Sequence, residues 1–253
     1  MKTIHLALAF DDDYIEPGIV LMTSVLLNKA DEKIHFHILD MGLSSENKKE
    51  IFEFSDCKIT FHLLNDKEKI FWKILLPEIV QTERIIYLDA DIVVKNSLKE
   101  LWQTNLSEDY IGVVENFDRT KSFKFNSGVM LVNAQKWLED EIPRRAMKIL
   151  QEDESCEEVL NKLFEEKIRF LDLKWNFQCS PMNKIIKQPY IIHYTGGFKP
   201  WIKGFGCFNP MQKEYFKYHK LTDYAYSDYK FWQMQDKLLA FKGLFKLIKR
   251  RLI

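Results

Sequence analysis

Two carboxylates stand one residue apart at the end of an apolar run, where Ile85-Ile86-Tyr87-Leu88 leads into Asp89-Ala90-Asp91. In extended backbone, residues i and i+2 project to the same side, so both acids can face one cation just past a strand. Carboxylate oxygens are hard ligands suited to Mg²⁺ or Mn²⁺, ions that in turn bridge diphosphate oxygens. A turn or a solvated loop explains an Asp-x-Asp as well. A second group begins at His193, after Tyr190-Ile191-Ile192: the histidine offers a nitrogen ligand, Gly196 and Gly197 let backbone N–H groups approach phosphate, and Lys199 adds a positive charge. The plainer reading is a Gly-Gly turn beside a buried histidine. Asp11-Asp12-Asp13-Tyr14 pairs carboxylates with a ring that can stack on a base, although a helix cap or Asx-turn has the same composition. Asn126-Ser127-Gly128 sets polar groups beside a glycine, the pattern of a binding strand or of a bulge.

These residues need a frame, and the chain supplies one by alternation. Strands are expected at Ile4 to Ala9, Ile34 to Leu39, Lys58 to Leu64 and Arg84 to Leu88, separated by a helix that Pro17 helps open, a helix begun by Ser44, and a helix from Glu68 to Val80. Further strands are expected at Tyr110 to Glu115, Phe125 to Val132 and Ile168 to Leu173, with helices at Ala134 to Gln151 and Cys156 to Glu165. Alternation of this kind implies an α/β fold, a mainly parallel sheet with helices on both faces. Such sheets bind ligands outside the carboxyl ends of their strands, where both acidic clusters fall.

With 253 residues, 46% of them hydrophobic, the chain can bury a full core. Its 37 basic and 37 acidic residues cancel, which removes the overall field that would recruit nucleic acid. The four cysteines are widely spaced, with no Cys-x-x-Cys pair, a pattern that fits reduced thiols in a cytoplasm. The first apolar segment is too short for a secretion signal, and no run reaches the roughly 18 to 20 apolar residues of a membrane span. The chain divides into a main domain over 1–222 and a segment over 223–253, where Leu238, Phe241, Phe245, Ile248 and Leu252 share a helical face beside Lys237, Lys242, Lys246, Lys249, Arg250 and Arg251. A basic amphipathic tail of this type suits peripheral contact with an anionic inner membrane face, or packing on the domain.

Four blocks then occur together in order: Phe71 to Glu78, Tyr87 to Val94, Phe125 to Val129 and His193 to Trp201. They resemble glycosyltransferase family eight, in particular the bacterial lipopolysaccharide galactosyl- and glucosyltransferases, over roughly Lys2 to Trp201. The resemblance implies a GT-A fold, Rossmann-like, with a nucleotide-binding half merged with an acceptor-binding half. It implies a retaining hexosyltransferase that moves galactose or glucose from a UDP-sugar to an oligosaccharide or lipid-linked saccharide acceptor, in lipopolysaccharide or other surface-glycan synthesis. Mn²⁺, with Mg²⁺ as the alternative, would be held by Asp89, Asp91 and His193, with Ala90 between the acids. Asp11, Asp13 and Tyr14 would hold uridine; Gly196 and Lys199 would contact the diphosphate; Asn126 and Ser127 would lie near the donor sugar. Lys73 stands where relatives often carry an arginine, keeping the charge without the bidentate fork.

One block departs from the family. Relatives carry Asp-Gln-Asp before a Leu-Asn pair on the helix that reads the donor sugar, whereas this chain has Cys156-Glu157-Glu158-Val159-Leu160-Asn161. Cys156 and Glu157, with Asn126, are therefore the expected residues of the catalytic face, with Glu157 or Glu154 as the alternatives to stand in for the missing carboxylate. Two other readings stay open. Strand-then-Asp-x-Asp-x-Val also fits a phosphohydrolase of the haloacid-dehalogenase kind with a nucleophilic Asp89, and a nucleotide-sugar-binding protein without turnover would keep the metal site.

Overall fold

A computed structural model describes residues 3–53, 57–117, 124–149, 155–164, 166–180, 188–202 and 206–226. In chain order these build β1 (Thr3–Phe10), α1 (Ile15–Asn28), β2 (Lys33–Asp40), α2 (Ser45–Glu53), β3 (Lys58–Leu63), α3 (Asp66–Val80), β4 (Arg84–Asp89), β5 (Ile92–Val94), α4 (Lys99–Gln103), β6 (Ile111–Glu115), β7 (Phe125–Asn133), α5 (Ala134–Glu139), α6 (Ile142–Ile149), α7 (Cys156–Leu163), β8 (Ile168–Phe170), β9 (Phe177–Gln178), β10 (Ile191–His193) and α8 (Gln212–His219). Short 3-10 turns lie at Asp12–Tyr14, Leu173–Trp175, Gly206–Phe208 and Asp223–Tyr226.

The large sheet runs β3-β2-β1-β4-β7-β6-β8. β3, β2, β1 and β4 are mutually parallel, and β7 alone runs against its neighbours β4 and β6. Helices cover both faces, which is why the inner strands are near-continuous apolar runs. Ile4, Leu6, Leu8 and Phe10 of β1 pack with α1 on one side, while Ala7 joins Ile74, Leu76 and Val80 of α3 on the other. Removing Leu6, Leu8, Ile86 or Leu88 from water contributes about 1.5–3 kcal/mol each.

The sequence does not foreshadow the second sheet, β5-β10-β9. Its strands have two or three residues, too short to show a period. α1 ties it to the main body: Val94 N–H donates to Ser24 Oγ at 2.9 Å and Asn28 Nδ2 donates to Val94 O at 3.1 Å. α1 is accordingly buried almost throughout, from Ile15 to Val25.

Two expected elements differ. The helix from Ala134 is two helices, because Glu141 takes a left-handed φ of 50° and Pro143 lacks the N–H that would bond Glu139 O. β8 stops at Phe170, where Asp172 instead caps a 3-10 turn by accepting from Lys174 N–H at 2.8 Å. Of the tail segment, Tyr224 hydrogen-bonds Glu50 of α2 at 3.1 Å; 227–253, with its basic amphipathic pattern, and Glu154 lie outside the described residues.

Candidate active site

Asp89 closes β4 in the large sheet, and three residues later, at Ile92, the chain enters β5 of the small one, so the Asp-x-Asp sits at the junction of the two. β10 returns antiparallel to β5 with His193 opposite Ile92, and Tyr194 N–H donates to Asp91 O at 2.9 Å. That pairing delivers the imidazole. His193 Nε2 lies 3.1 Å from Asp91 Oδ1 and 3.7 Å from Asp89 Oδ2, and one ligand atom from each of the three residues lies within 4.8 Å of the others. His193 is 3% and Asp91 9% exposed.

Gly128 makes the approach possible. A Cβ there would stand 2.1 Å from His193 Cε1 and 2.8 Å from Asp89 Oδ2, so the glycine of the Asn-Ser-Gly run is room for the ring.

The hydrogen-bond network sets the tautomer of His193. Gly128 N–H donates to Asn126 Oδ1 at 3.1 Å, which identifies that atom as oxygen, and Asn176 Nδ2 donates to the same oxygen at 2.9 Å. Asn176 Oδ1 is then left to face His193 Nδ1 at 3.1 Å and accepts its proton. A neutral His193 therefore turns a bare Nε2 lone pair toward the Asp91 carboxylate. Lone pair against carboxylate holds together around a proton or a metal cation, and a ligand histidine whose other N–H is tied to an amide oxygen is the arrangement metal sites use. The donor set fits a divalent ion. Burial by itself would raise the Asp91 carboxyl, but His193, when a proton sits on its Nε2, and Lys199 outweigh that and hold it well below the usual carboxylate range.

Asp89 is held from the other side. Tyr87 OH donates to its Oδ1 at 2.7 Å, and burial, reinforced by the Asp89 charge, pushes that phenol well above its ordinary pKa, keeping it a donor. Lys73 Nζ contacts Asp89 Oδ1 at 3.0 Å, Ser127 Oγ at 3.1 Å and Ser127 O at 3.3 Å. Lys73 lies on an irregular stretch of α3 between a kink at Phe71 (φ −115°, ψ 20°) and Pro77. Cys156 meets that kink: its thiol donates to Ile70 O at 3.1 Å. Burial pushes the thiol up despite the nearby Lys73 charge and backbone N–H groups. The structure thus places Cys156 against α3 rather than among the metal-facing groups. Glu157 Oε1 accepts from Ser127 N–H at 2.8 Å, Ser127 Oγ at 3.2 Å and Asn126 Nδ2 at 3.4 Å, so its carboxylate locks α7 to the start of β7.

Asp11, Tyr14, Lys73, Ala90 and both metal-facing aspartates line one cavity of about 380 Å³. Asp11 Oδ1 is buried with no hydrogen-bond partner among the described residues, an acceptor awaiting a donor. Asp13 is exposed on the same 3-10 turn and does not line the cavity, while Asp12 caps α2 through Ser44 N–H at 2.9 Å. Gly196 has φ 71°, the left-handed turn that glycine favours, and Lys199 bonds Asp91 Oδ2 and Tyr194 O. Sequence reading missed Asn176, Tyr87 and Trp72, whose indole donates to Tyr87 OH at 3.1 Å. The available signal for Asn176 was its place between Trp175 and Phe177, a polar side chain in an apolar run.

A mainly parallel sheet covered on both faces, ending in an Asp-x-Asp that a second small sheet meets with a histidine, defines the class: a GT-A glycosyltransferase. The chain belongs to glycosyltransferase family 8, whose model matches residues 5–204. General stress protein A of Bacillus subtilis is 23% identical over 272 residues, covering 87% of this chain and 94% of that protein. The lipopolysaccharide 1,3-galactosyltransferase of Salmonella typhimurium is 25% identical over 244 residues, covering 78% and 72%. The fold is that of the galactosyltransferase LgtC in complex with donor and acceptor sugar analogs, with TM-score 0.71 and 22% identity over 87% of this chain and 96% of that one. The resemblance carried by the four sequence blocks holds, and the phosphohydrolase alternative falls with it.

Proposed function

We propose that the chain transfers a hexose, galactose or glucose, from a UDP-sugar to a saccharide acceptor with retention of configuration, using Mn²⁺ or Mg²⁺ held by Asp89, Asp91 and His193. The observation that carries this is the convergence of two carboxylates and an imidazole whose free lone pair is fixed by the Asn176 contact. Bound there, a divalent cation would offset the charge that gathers on the leaving diphosphate. Lys199 stands at the same edge, where its ammonium adds to that stabilisation. Asp11, with its unpartnered oxygen, and Tyr14 suit the hydroxyls and ring of uridine. Asn126 and Ser127 border the site at the start of β7, and Glu157 holds them there. A departing phosphate oxygen takes the acceptor proton, so no protein base is assigned. The lipopolysaccharide 1,3-galactosyltransferase of Salmonella among its relatives supports a lipopolysaccharide-type acceptor, and the basic pattern of 227–253 supports peripheral contact with an anionic membrane. Among the described residues no helix is long and apolar enough to cross a membrane.

The test is UDP release from a panel of UDP-sugars with Mn²⁺ and with chelator. Turnover of one hexose donor, abolished by chelator and by Asp91→Asn, is the expected result. UDP-sugar binding without release for any donor and acceptor would favour the binding-protein reading instead.

A further inference from the structure

Four of the chain's six histidines lie on one face of the large sheet, away from the Asp-x-Asp. His5 is on β1, His35 and His37 on β2 and His62 on β3; the register sets His5 beside His35, and Leu39 beside His62. His5 lies four residues before Ala9, the partner of Asp89, or about 13 Å along the strand. His5 Nδ1 is 2.9 Å from His37 Nε2, and His37 Nδ1 is 3.0 Å from His62 Nε2. His35 lies against His37 with ring centres 3.9 Å apart and planes tilted by 36°, and bonds Thr60 Oγ1 through Nε2 at 2.9 Å. One nitrogen from each of His5, His35 and His37 lies within 4.8 Å of the others.

We propose that His5, His35 and His37 form a second metal site, for a borderline transition cation of the Zn²⁺ type, that staples β1 to β2. Three neutral imidazoles are the donor set such ions prefer over the oxygen-rich set at Asp89 and Asp91. His35 and His37 are buried against other imidazoles, surroundings that disfavour an added proton and leave lone pairs for a cation. The outer contacts are those of a metal histidine. His37, bound through Nε2, donates its Nδ1 proton to His62, and His35, bound through the nitrogen that Thr60 leaves free, donates to the Thr60 hydroxyl. Tetrahedral bonds of about 2.0–2.1 Å set ligand nitrogens about 3.3 Å apart, so the rings need shift only slightly. Half-buried His5 also lines a cavity of about 630 Å³ beside Glu83 and Gln135, an entry path that leaves room for a water as fourth ligand. Lys58 is the nearby charge that opposes a cation.

The experiment uses the full chain with Asp89→Asn and Asp91→Asn, which disables the first site, and titrates Zn²⁺ against a chromogenic chelator. One tight equivalent is expected to remain, and Co²⁺ in its place is expected to give the intense visible absorption of a low-coordinate nitrogen site. His37→Gln should lower Zn²⁺ affinity by far more than 10-fold, and His62→Gln, which removes only an outer contact, by about 10-fold. His5→Ala, at a half-exposed position, keeps the test decisive if the buried variants fail to fold. Absence of Zn²⁺ binding in the double variant, or unchanged affinity in His5→Ala, overturns the proposal while leaving the transferase reading intact.

Discussion

Asn176→Ala isolates the contact on which the metal site turns. Asn176 is fully buried and touches no expected substrate group; it accepts from His193 Nδ1 at 3.1 Å and donates to Asn126 Oδ1 at 2.9 Å. Without it, the neutral imidazole loses its reason to carry the proton on Nδ1. The favoured tautomer becomes Nε2–H, which donates to Asp91 Oδ1 across the existing 3.1 Å gap. A hydrogen bond to a charged partner is worth about 1.5–3 kcal/mol, and a metal must now break it before it can bind. The apparent affinity for Mn²⁺ should therefore fall about 10- to 150-fold, in line with the roughly 10- to 100-fold losses seen when outer partners of metal histidines are removed.

The assay is UDP release at saturating UDP-sugar as Mn²⁺ is raised. The expected result is an activation curve displaced to higher Mn²⁺ by that factor, with kcat recovered at the plateau. Asn126→Ala should produce part of the same displacement, and the double variant less than the sum, because one chain of contacts is cut twice. A variant whose kcat drops at every Mn²⁺ concentration, with the midpoint unmoved, would refute the tautomer argument and leave Asn176 a packing residue.

Four further outcomes follow from the same contacts. Gly128→Ala should abolish Mn²⁺-dependent UDP release while leaving urea unfolding within about 1–3 kcal/mol of the parent, since the added methyl collides with His193 and Asp89. Lys73→Met should lower kcat/KM about 100-fold, read from initial rates, through loss of a positive charge 3.0 Å from Asp89. Cys156→Ala should cost about 1–3 kcal/mol in urea unfolding by leaving Ile70 O unpaired in the kink, and Cys156→Ser should recover part of it. In chelator, stability should decline as pH falls from about 6.5 toward 4: His35 and His37 are held at about 4 and about 3, so below the ordinary histidine value of 6.5 the unfolded chain binds more protons than the folded one. His37→Gln should flatten that decline, and an unchanged pH profile would show that His37 does not titrate this way.

Legibility followed the length scale of the signal. The β1-to-β4 alternation was readable because each strand is six to eight residues long and each intervening helix shows its own period. Asp89 and Asp91 were readable because i, i+2 geometry is local, and His193 because its Gly-Gly segment travels with the other family blocks. The pairing that joins them was not, since β5 and β10 are three residues each and their register depends on distant chain. The same limit hid the histidine face: His35 and His37 show period two, but their approach to His5 and His62 exists only once β1, β2 and β3 align. The contact that Cys156 makes was illegible for another reason: a thiol in place of a carboxylate suggests lost sugar contacts, and no sequence pattern announces its bond to Ile70 O at a helix kink.

The two halves of the site meet at the start of β7, and this bears on what Lys73 does. Asn126 and Gly128 fix the proton of His193 through Asn176, while Ser127, between them, accepts from Lys73 and donates to Glu157. An ammonium has three N–H donors, and Asp89 Oδ1, Ser127 Oγ and Ser127 O take all three. A direct bond to a diphosphate would have to displace one of them. Lys73 therefore acts first by orienting Asp89 and by its charge, and Lys199, which reaches Asp91 from the glycine-bearing segment, is the better placed of the two to turn toward phosphate. An arginine at 73 would bring a planar fork into a space shaped by a point charge, with Tyr87 beneath it at 4.9 Å, and would crowd the acid that Lys73 orients.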